Sequence, residues 1–376
     1  EPYLFDKNVS LGVDIYRRDY NSFNFANSDR NTTYEQSTTG FQVRAGVPLT
    51  EYLTAIGRYT LNYDDVTLGK GTYYSIDQNG DYTCDPIRAG RYLCDAIGKR
   101  LSSILGLSVV YDNLDNRMRP TRGETISLNV DLAGLGGDVN YYRLRGNAAK
   151  YWPLGKGFIF SIQGEGGLIK GWGGDDIRLT DRFYLGEPQI RGFGIRGVGP
   201  RVVRQYYTAD ANNEYTVKGQ DTDDALGGRY YYMARGELEI PLGSGAREMG
   251  LRPSIFVDAG AVWAIKSPQL NQCHTGQGCF VGQRDANGNQ YYLDANGALT
   301  TNAVDPVTLQ PNTIQGSYTN FTETFLGNTW KPRVAVGFGV NWNSPFGPFR
   351  IDISKALLKY DGDNTKTFTF NVGTQF

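Results

Sequence analysis

The chain has 376 residues, with 38 basic and 39 acidic side chains and a formal net charge of −1. This balance argues against a nucleic-acid partner, because nucleic-acid-binding proteins usually carry a basic excess. The mean hydropathy is −0.44, and no apolar run approaches the ~18 residues that a membrane-spanning helix needs, which excludes a helical membrane protein.

Glycine and aromatic residues are abundant in this polar chain. There are 48 glycines and 26 tyrosines, and aromatic residues make up 13% of the sequence. Tyrosine suits the boundary between water and lipid, and glycine lets strands bend. Composition alone therefore fits two classes of protein, a transmembrane β-barrel and a soluble β-sandwich. The chain begins at Glu1 without a signal sequence, so we expect a mature or trimmed form of an exported protein.

Alternation of apolar and polar residues starts near the beginning of the chain and recurs to its end. Val9, Leu11, Val13 and Ile15 form the first apolar face. About twelve such segments, most of ~9–13 residues, are long enough for tilted strands to cross a bilayer. They lie near 9–18, 38–48, 52–63, 100–112, 122–133, 139–152, 157–167, 229–241, 252–264, 330–343, 348–356 and 366–376.

The connections between these segments differ greatly in length. Tight turns are predicted at 48–51, 152–156 and 343–347, and long polar insertions near 64–99, 168–228 and 265–329. This alternation places the long insertions at one end of the sheet, as in outer-membrane barrels. A sandwich has no reason for such an asymmetry. We therefore predict an all-β fold, an antiparallel transmembrane β-barrel with about twelve strands in this chain.

Four cysteines form two close pairs inside the long insertions, Cys84 with Cys94 and Cys273 with Cys279. An even number of near neighbours predicts two disulfides in an oxidising compartment. A zinc site is the alternative, but it would need more ligands than the single histidine, His274, can add.

No motif for catalysis is recognisable. The sequence has neither a Gly-x-Ser-x-Gly elbow nor a Walker loop, and 192–197 matches Gly-x-Gly-x-x-Gly outside a strand–helix context. We therefore expect no enzyme activity, no cofactor and no metal.

The most informative segment contains Arg182-Phe183-Tyr184 followed by Ile190, Arg191, Gly192 and Phe193. This segment resembles the BamA superfamily of outer-membrane insertases and translocases, whose hallmark is a (V/I)RG(F/Y) motif in a long loop. The resemblance continues, in order, through segments 111–116, 120–123, 223–228, 256–260, 344–348 and 359–363. It implies that the loop folds into the lumen, where Arg191 pairs with Asp258 and Glu239. The alternative is that Arg191 is one of many solvated lumen charges.

The resemblance also gives the last strand a role. In outer-membrane barrels this strand is recognised by the assembly machinery, and here it carries Phe368, Phe370, Gly373 and Phe376. In the superfamily it forms one side of a seam, and Gly373 matches a glycine at which the strand can kink and expose an edge. The alternative is that Gly373 is simply a small lumen-facing residue.

The function implied is an insertase in the Gram-negative outer membrane. Its partners would be unfolded outer-membrane proteins, accessory lipoproteins of an assembly complex and the lipid bilayer. Alternatives are a two-partner secretion or autotransporter-assembly translocase, a diffusion porin, and a phospholipase-fused relative, for which the catalytic domain is absent. Because full-length relatives carry POTRA domains and sixteen-stranded barrels, we expect residues 1–376 to be the barrel domain without its POTRA domains and first four strands. A natural twelve-stranded barrel is the other reading.

Overall fold

One antiparallel sheet of twelve strands dominates the computed structural model, and each strand pairs with its neighbours in chain order. The structure describes residues 7–26, 29–76, 82–117, 119–209, 215–243, 250–273, 278–285, 289–344 and 347–372. The strands are β1 (Ser10–Ala26), β2 (Asp29–Pro48), β3 (Leu53–Thr67), β4 (Gly98–Asp112), β5 (Gly123–Gly137), β6 (Tyr141–Gly155), β7 (Phe158–Gly171), β8 (Tyr230–Glu239), β9 (Leu251–Trp263), β10 (Arg333–Ser344), β11 (Gly347–Leu358) and β12 (Phe368–Val372).

The two faces of the sheet are inverted relative to a water-soluble core. On β5, Leu128 is 46% exposed whereas Asp131 is 4% exposed, and on β11, Ile353 is 57% exposed whereas Asp352 is 1% exposed. Successive side chains of a strand point to opposite faces, so the apolar residues share the outer face and the polar residues the inner one. This is the arrangement of a barrel that faces lipid.

The sheet curls around a chain segment that lies inside it. This segment, 172–200, follows β7 and is called the lumen segment below. Its Arg196 donates to Tyr20 of β1, its Asp181 accepts from Arg100 of β4 at 2.6 Å, and its Arg191 reaches β9. One segment can contact strands so far apart in the sheet only if the sheet wraps around it. The fold is thus the predicted antiparallel β-barrel, although over the described residues β1 and β12 do not pair with each other.

Two strands extend well beyond their predicted limits. The segments predicted near 9–18 and 38–48 are parts of β1 and β2, which continue pairing up to Ala26 and Asp29. The added length is rich in Asn, Thr, Ser and charged residues. Backbone hydrogen bonds of the hairpin hold these residues in strands whatever their hydropathy, so apolar alternation did not reveal them.

The long connections, 68–97, 172–229 and 264–332, lie at one end of the barrel, as predicted. They contain strands and short helices that the sequence analysis did not predict. No helix in the described ranges is long and apolar enough to cross a membrane. The added strands are Tyr74–Ile76, Tyr82–Cys84, Arg201–Ala209, Tyr215–Ala225, Cys279–Gly282, Tyr292–Leu293, Leu299–Thr300, Thr313–Ile314 and Gly316–Leu326, and the helices are Lys70–Tyr73, Pro86–Ala89, Arg91–Cys94 and the 3-10 turn Leu179–Asp181.

These connections pack on one another as a cap over the barrel end. Buried Leu68, Leu93, Val202, Leu226 and Ile265 belong to one apolar cluster within it. The structure pairs Cys84 with Cys94 and Cys273 with Cys279 as disulfides, and Cys84 and Cys94 pack against this same cluster. Cross-links in these connections reduce the conformational freedom of the unfolded chain.

Candidate functional site

The lumen segment makes a compact turn inside the barrel. Ile190 donates its backbone N–H to Gly186 O at 3.0 Å, and Glu187 donates to Gly194 O at 3.1 Å. Asn364, in the connection between β11 and β12, forms backbone hydrogen bonds with this turn. Gly194 donates to Asn364 O at 2.9 Å, and Asn364 donates to Gly197 O at 2.8 Å. These bonds satisfy polar backbone groups that would otherwise be buried without partners.

The four motif residues of the lumen segment are all enclosed. Ile190 and Phe193 are fully buried in an apolar cluster that includes Val262 of β9 and Ala335 of β10. Gly192 has φ 87°, and a Cβ at this position would lie 2.7 Å from Ala335 Cβ. The left-handed backbone and the close approach to β10 both require glycine. The apolar residues on either side of Arg191 therefore fix where its side chain can reach.

Arg191 binds Asp258 of β9 through backbone and side chain together. Its backbone N–H and Nε donate to Asp258 Oδ2 at 2.9 and 2.8 Å, and Nη2 donates to Oδ1 at 2.6 Å. The guanidinium also lies over the Phe256 ring, 3.4 Å from its centroid. Arg191 is 2% exposed and Asp258 fully buried. Parallel guanidinium–carboxylate bonds in a site shielded from water are among the stronger polar contacts in proteins.

The second carboxylate is Glu237, not Glu239 as the sequence analysis expected. Arg191 Nη1 donates to Glu237 Oε2 at 2.8 Å, whereas Glu239 accepts from Arg252 at 3.2 Å. Both glutamates lie on the same face of β8, so alternation could not distinguish them. The register of β8 with β9 determines which glutamate reaches Arg191. Asp258 is paired with Arg235, so Glu237 is two residues from that pair and Glu239 is four residues from it.

Three further charged residues complete the site, and none of them was predicted from the sequence. Arg350 of β11 donates to Glu237 at 3.0 Å and to Asp352 at 2.9 Å. Arg235 of β8 donates to the backbone oxygens of Pro188 and Gln189, both at 3.0 Å. A signal for two of them was present in the sequence, since Arg350 and Asp352 alternate with outward-facing isoleucines.

Together these residues form an arginine–carboxylate network with three cations and three anions. Its members are Arg191, Arg235, Arg350, Glu237, Asp258 and Asp352. Balanced charges and many hydrogen bonds offset the cost of removing ions from water, and they specify one geometry rather than adding much net stability. The network fastens the lumen segment to β8, β9 and β11. Its acidic groups are already engaged by arginines, and the described residues contain no cluster suited to a metal ion.

The last strand presents its aromatic residues outward. Phe368 and Phe370 are both exposed on the lipid-facing side of β12, and Thr369 between them is buried. The two other residues expected to act at this strand, Gly373 and Phe376, lie outside the described residues. β12 pairs with β11 through Phe349 to Ile353. Its aromatic face is therefore placed where a membrane-embedded strand would contact lipid.

A second ion pair links the cap to the lumen segment. Arg201, just after the segment, donates Nη1 to Asp223 at 2.5 Å and Nη2 to the backbone oxygen of Arg196 at 2.7 Å. Burial raises the pKa of the Asp223 carboxyl to about 6, although the positive charge of Arg201 opposes the shift. Asp223 lies in the cap, outside the membrane-spanning strands, so its protonation responds to the surrounding solution.

Residues 1–376 match the Omp85 superfamily domain. The outer membrane protein assembly factor BamA of Neorickettsia risticii is 24% identical over 374 residues, which are 99% of this chain and 38% of that protein. BamA of Neisseria meningitidis is 25% identical over 379 residues, covering 100% of this chain and 40% of the relative. The chain thus spans about two fifths of the length of these relatives.

Similarity also extends to animal proteins and to a solved structure. The mouse sorting and assembly machinery component 50 homolog is 30% identical over 169 residues, or 43% of this chain and 32% of that protein. The crystal structure of Haemophilus ducreyi BamA lacking POTRA domains 1–3 superposes with a TM-score of 0.64 and 22% identity, covering 98% of this chain and 59% of that chain. This likeness independently supports the barrel fold.

Proposed function

The chain belongs to the Omp85 superfamily, and from this membership we propose that its barrel inserts unfolded outer-membrane proteins into the outer membrane. The barrel is an outer-membrane domain with apolar side chains toward lipid. The relatives that match its whole length are named outer membrane protein assembly factors. An insertase has to stay in the membrane, keep its own lumen sealed and offer a client strand a place to pair.

The filled lumen supports assembly over diffusion. The observation that carries the proposal is the enclosed Arg191, whose guanidinium joins the lumen segment to Asp258 and Glu237 on the inner wall of the barrel. A diffusion porin keeps a water-filled channel through its centre. Here an apolar cluster that includes Ile190 and Phe193 occupies that space. The lumen segment is therefore proposed to act as a plug and brace.

Strand pairing is the proposed route by which a client is recognised. Over the described residues, β12 pairs only with β11, so its second edge has backbone groups free to bond another strand. Inside a bilayer such groups need a partner, and an incoming unfolded strand can supply the missing hydrogen bonds. The exposed Phe368 and Phe370 would then continue the lipid-facing surface of the client.

The test is a folding assay with the whole protein in proteoliposomes. A urea-unfolded outer-membrane barrel is added, and its folding is followed by the change in electrophoretic migration that heating reverses. We expect folding several-fold faster than in empty liposomes, and slower folding with the Arg191→Ala variant. Client folding at the rate of empty liposomes would rule out insertion. A steady large conductance from the wild-type protein would instead indicate a porin.

The same preparation identifies partners. We propose unfolded outer-membrane proteins as clients and accessory lipoproteins as companions in an assembly complex. A photo-crosslinker at exposed Phe370 of β12 should capture the client during folding, and the same label at the similarly exposed Ile126 of β5 is the matched control. Equal capture at both positions would contradict recognition by the last strand. A client released across the membrane rather than inserted would favour the translocase alternative.

A further inference from the structure

A cavity of about 390 Å³ lies at the cap end of the barrel. It is bounded by the start of the lumen segment, by the residue that precedes β8 and by the chain that follows β9. Its cationic lining consists of Arg178, Arg182, Arg229 and Lys266. The volume falls within the range of about 300–1,000 Å³ that is typical of small-molecule sites. The cavity is separate from the arginine–carboxylate network and from the strand edges discussed above.

The cations of this cavity lack the carboxylates that arginines elsewhere in the barrel possess. Arg182 donates to Ile177 O and Leu226 O, both at 3.2 Å, and Arg229 donates to Ala264 O at 2.6 Å. Arg178 Nη1 is buried and, within the described structure, has no hydrogen-bond partner. Backbone oxygens thus orient the guanidiniums of Arg182 and Arg229, and these bonds do not use all of their N–H groups. Buried donors without an acceptor are costly, so a ligand that accepts from them would be favoured.

The acidic residues nearby offset only part of this charge. Asp95 and Asp176 also line the cavity, but both are exposed, and Asp176 accepts from the backbone N–H of Ile177 at 2.9 Å. Asp181 is already engaged by Arg100, at 2.6 Å. The lining therefore has four cationic side chains against two anionic ones. Burial and the nearby charge of Arg229 lower the pKa of Arg182, although Asp176 and Asp181 oppose the shift.

We propose that this cavity binds a phosphate group, carried either by a lipid or by a smaller soluble compound. Guanidinium groups match phosphate oxygens through paired hydrogen bonds, and lysine adds a further charge. The rest of the lining is suited to the apolar part of such a ligand, since Ile177, Leu179 and Ile265 contribute to the wall. Phosphate would bridge the lumen segment to the residue that precedes β8 and to the chain that follows β9. The source is either a lipid headgroup of the surrounding leaflet or a free phosphate compound.

Binding is tested by calorimetric titration of the whole protein in detergent. The probes are inorganic phosphate and short-chain phosphatidic acid, and short-chain phosphatidylcholine serves as a lipid without a phosphate monoester. Arg178→Gln and Lys266→Gln should each raise the Kd by about tenfold, as expected for the loss of one charge-assisted contact. Lys331→Gln, which removes an exposed charge at the same end of the barrel outside the cavity, should leave the Kd within about twofold.

The outcomes separate the two sources and can overturn the proposal. Phosphatidic acid binding at least tenfold tighter than inorganic phosphate supports the lipid source, and equal affinities support a free phosphate. Because Lys266 is an exposed surface residue, its variant should fold normally, which heat-modifiable migration checks. No saturable binding of either phosphate probe, or affinities unchanged in both cavity variants, would refute the site. Client insertion plays no part in this measurement, so the two proposals can fail independently.

Discussion

Arg191 is bound to Asp258 by three hydrogen bonds, one from its backbone N–H and two from its guanidinium, at distances of 2.6–2.9 Å. The side chain and the main chain of a single residue are thus held by one carboxylate. The backbone of the lumen segment and the guanidinium of Arg191 are therefore held in place together. A shift of either one would break a hydrogen bond to Asp258.

Replacing Arg191 by alanine should destabilise the barrel by roughly 3–5 kcal/mol, because buried Asp258 and Glu237 would lose their cation. The midpoint of guanidinium-induced unfolding in micelles measures the loss. Arg17→Ala is the control, since Arg17 is 69% exposed and its ion pair with Asp19 spans 3.6 Å. Equal effects of the two substitutions would mean that the network contributes no more to the free energy of unfolding than a surface ion pair does.

Glu237→Gln and Glu239→Gln form a matched pair on one strand face. The first removes a charge that serves both Arg191 and Arg350, while the second affects only a partly exposed bond to Arg252. We expect the first to cost about 2 kcal/mol or more and the second less than about 1 kcal/mol. Thermal unfolding followed by heat-modifiable migration ranks them. The reverse order would reinstate Glu239 as the partner of the lumen segment.

Gly192→Ala should cost roughly 1–3 kcal/mol, because the new methyl group would overlap Ala335 and the backbone has φ 87°. Gly194→Ala is the control, since its added Cβ would approach nothing closer than 3.4 Å, at Asn364. Combining Gly192→Ala with Ala335→Gly should recover part of the loss by restoring space. Recovery of the full wild-type stability would show that backbone conformation contributes nothing at this position.

The carboxyl of Asp223 predicts a pH dependence. Its pKa is about 6 in the folded protein and 3.8 is its ordinary value, mainly because burial disfavours the charged form. Between these values the folded state holds a proton that the unfolded state has released, so this group's contribution to stability falls as pH rises from about 4 to about 6.

Asp223→Asn should remove that slope, which thermal melts recorded every half pH unit would reveal. The stability of the variant relative to wild type should increase from pH 4 to pH 7, whatever constant offset results from the lost bond to Arg201. Asp361→Asn, which alters an exposed aspartate in the connection between β11 and β12, is the control. If the melting temperatures of wild type and Asp223→Asn differ by a constant amount across this pH range, the shifted pKa is contradicted.

Much of the barrel could be predicted because its strands expose one apolar side. Alternation located all twelve strands, and the lengths of the connections placed the long insertions at one end. Strands without a regular alternation of apolar and polar residues could not be predicted from hydropathy. The continuation of β1 and β2 to Ala26 and Asp29 rests on backbone pairing of polar residues, and the strands of the cap are short and mixed.

The site shows the same limit in more detail. The motif indicated that Arg191 enters the lumen, and Asp258 was expected as its partner. Glu237 was missed because two glutamates share one strand face and only the register with β9 separates them. Arg350 and Asp352 lie far along the chain from the motif, so their contribution depends on how the sheet curls. Composition and spacing contain no information about that curvature.

The chain-order pairing of the twelve strands has a consequence for the order of folding. Each strand finds its neighbour after a single connection, so hairpins can add one after another with little loss of chain entropy at most steps. The network around Arg191 differs, because it needs groups from β8, β9 and β11 at once. We expect these charges to be satisfied only near the end of folding. If folding stops before β11 has paired, Glu237 lacks its contact with Arg350. We expect such an intermediate to be open and hydrated, and therefore to be recognised by quality-control proteases.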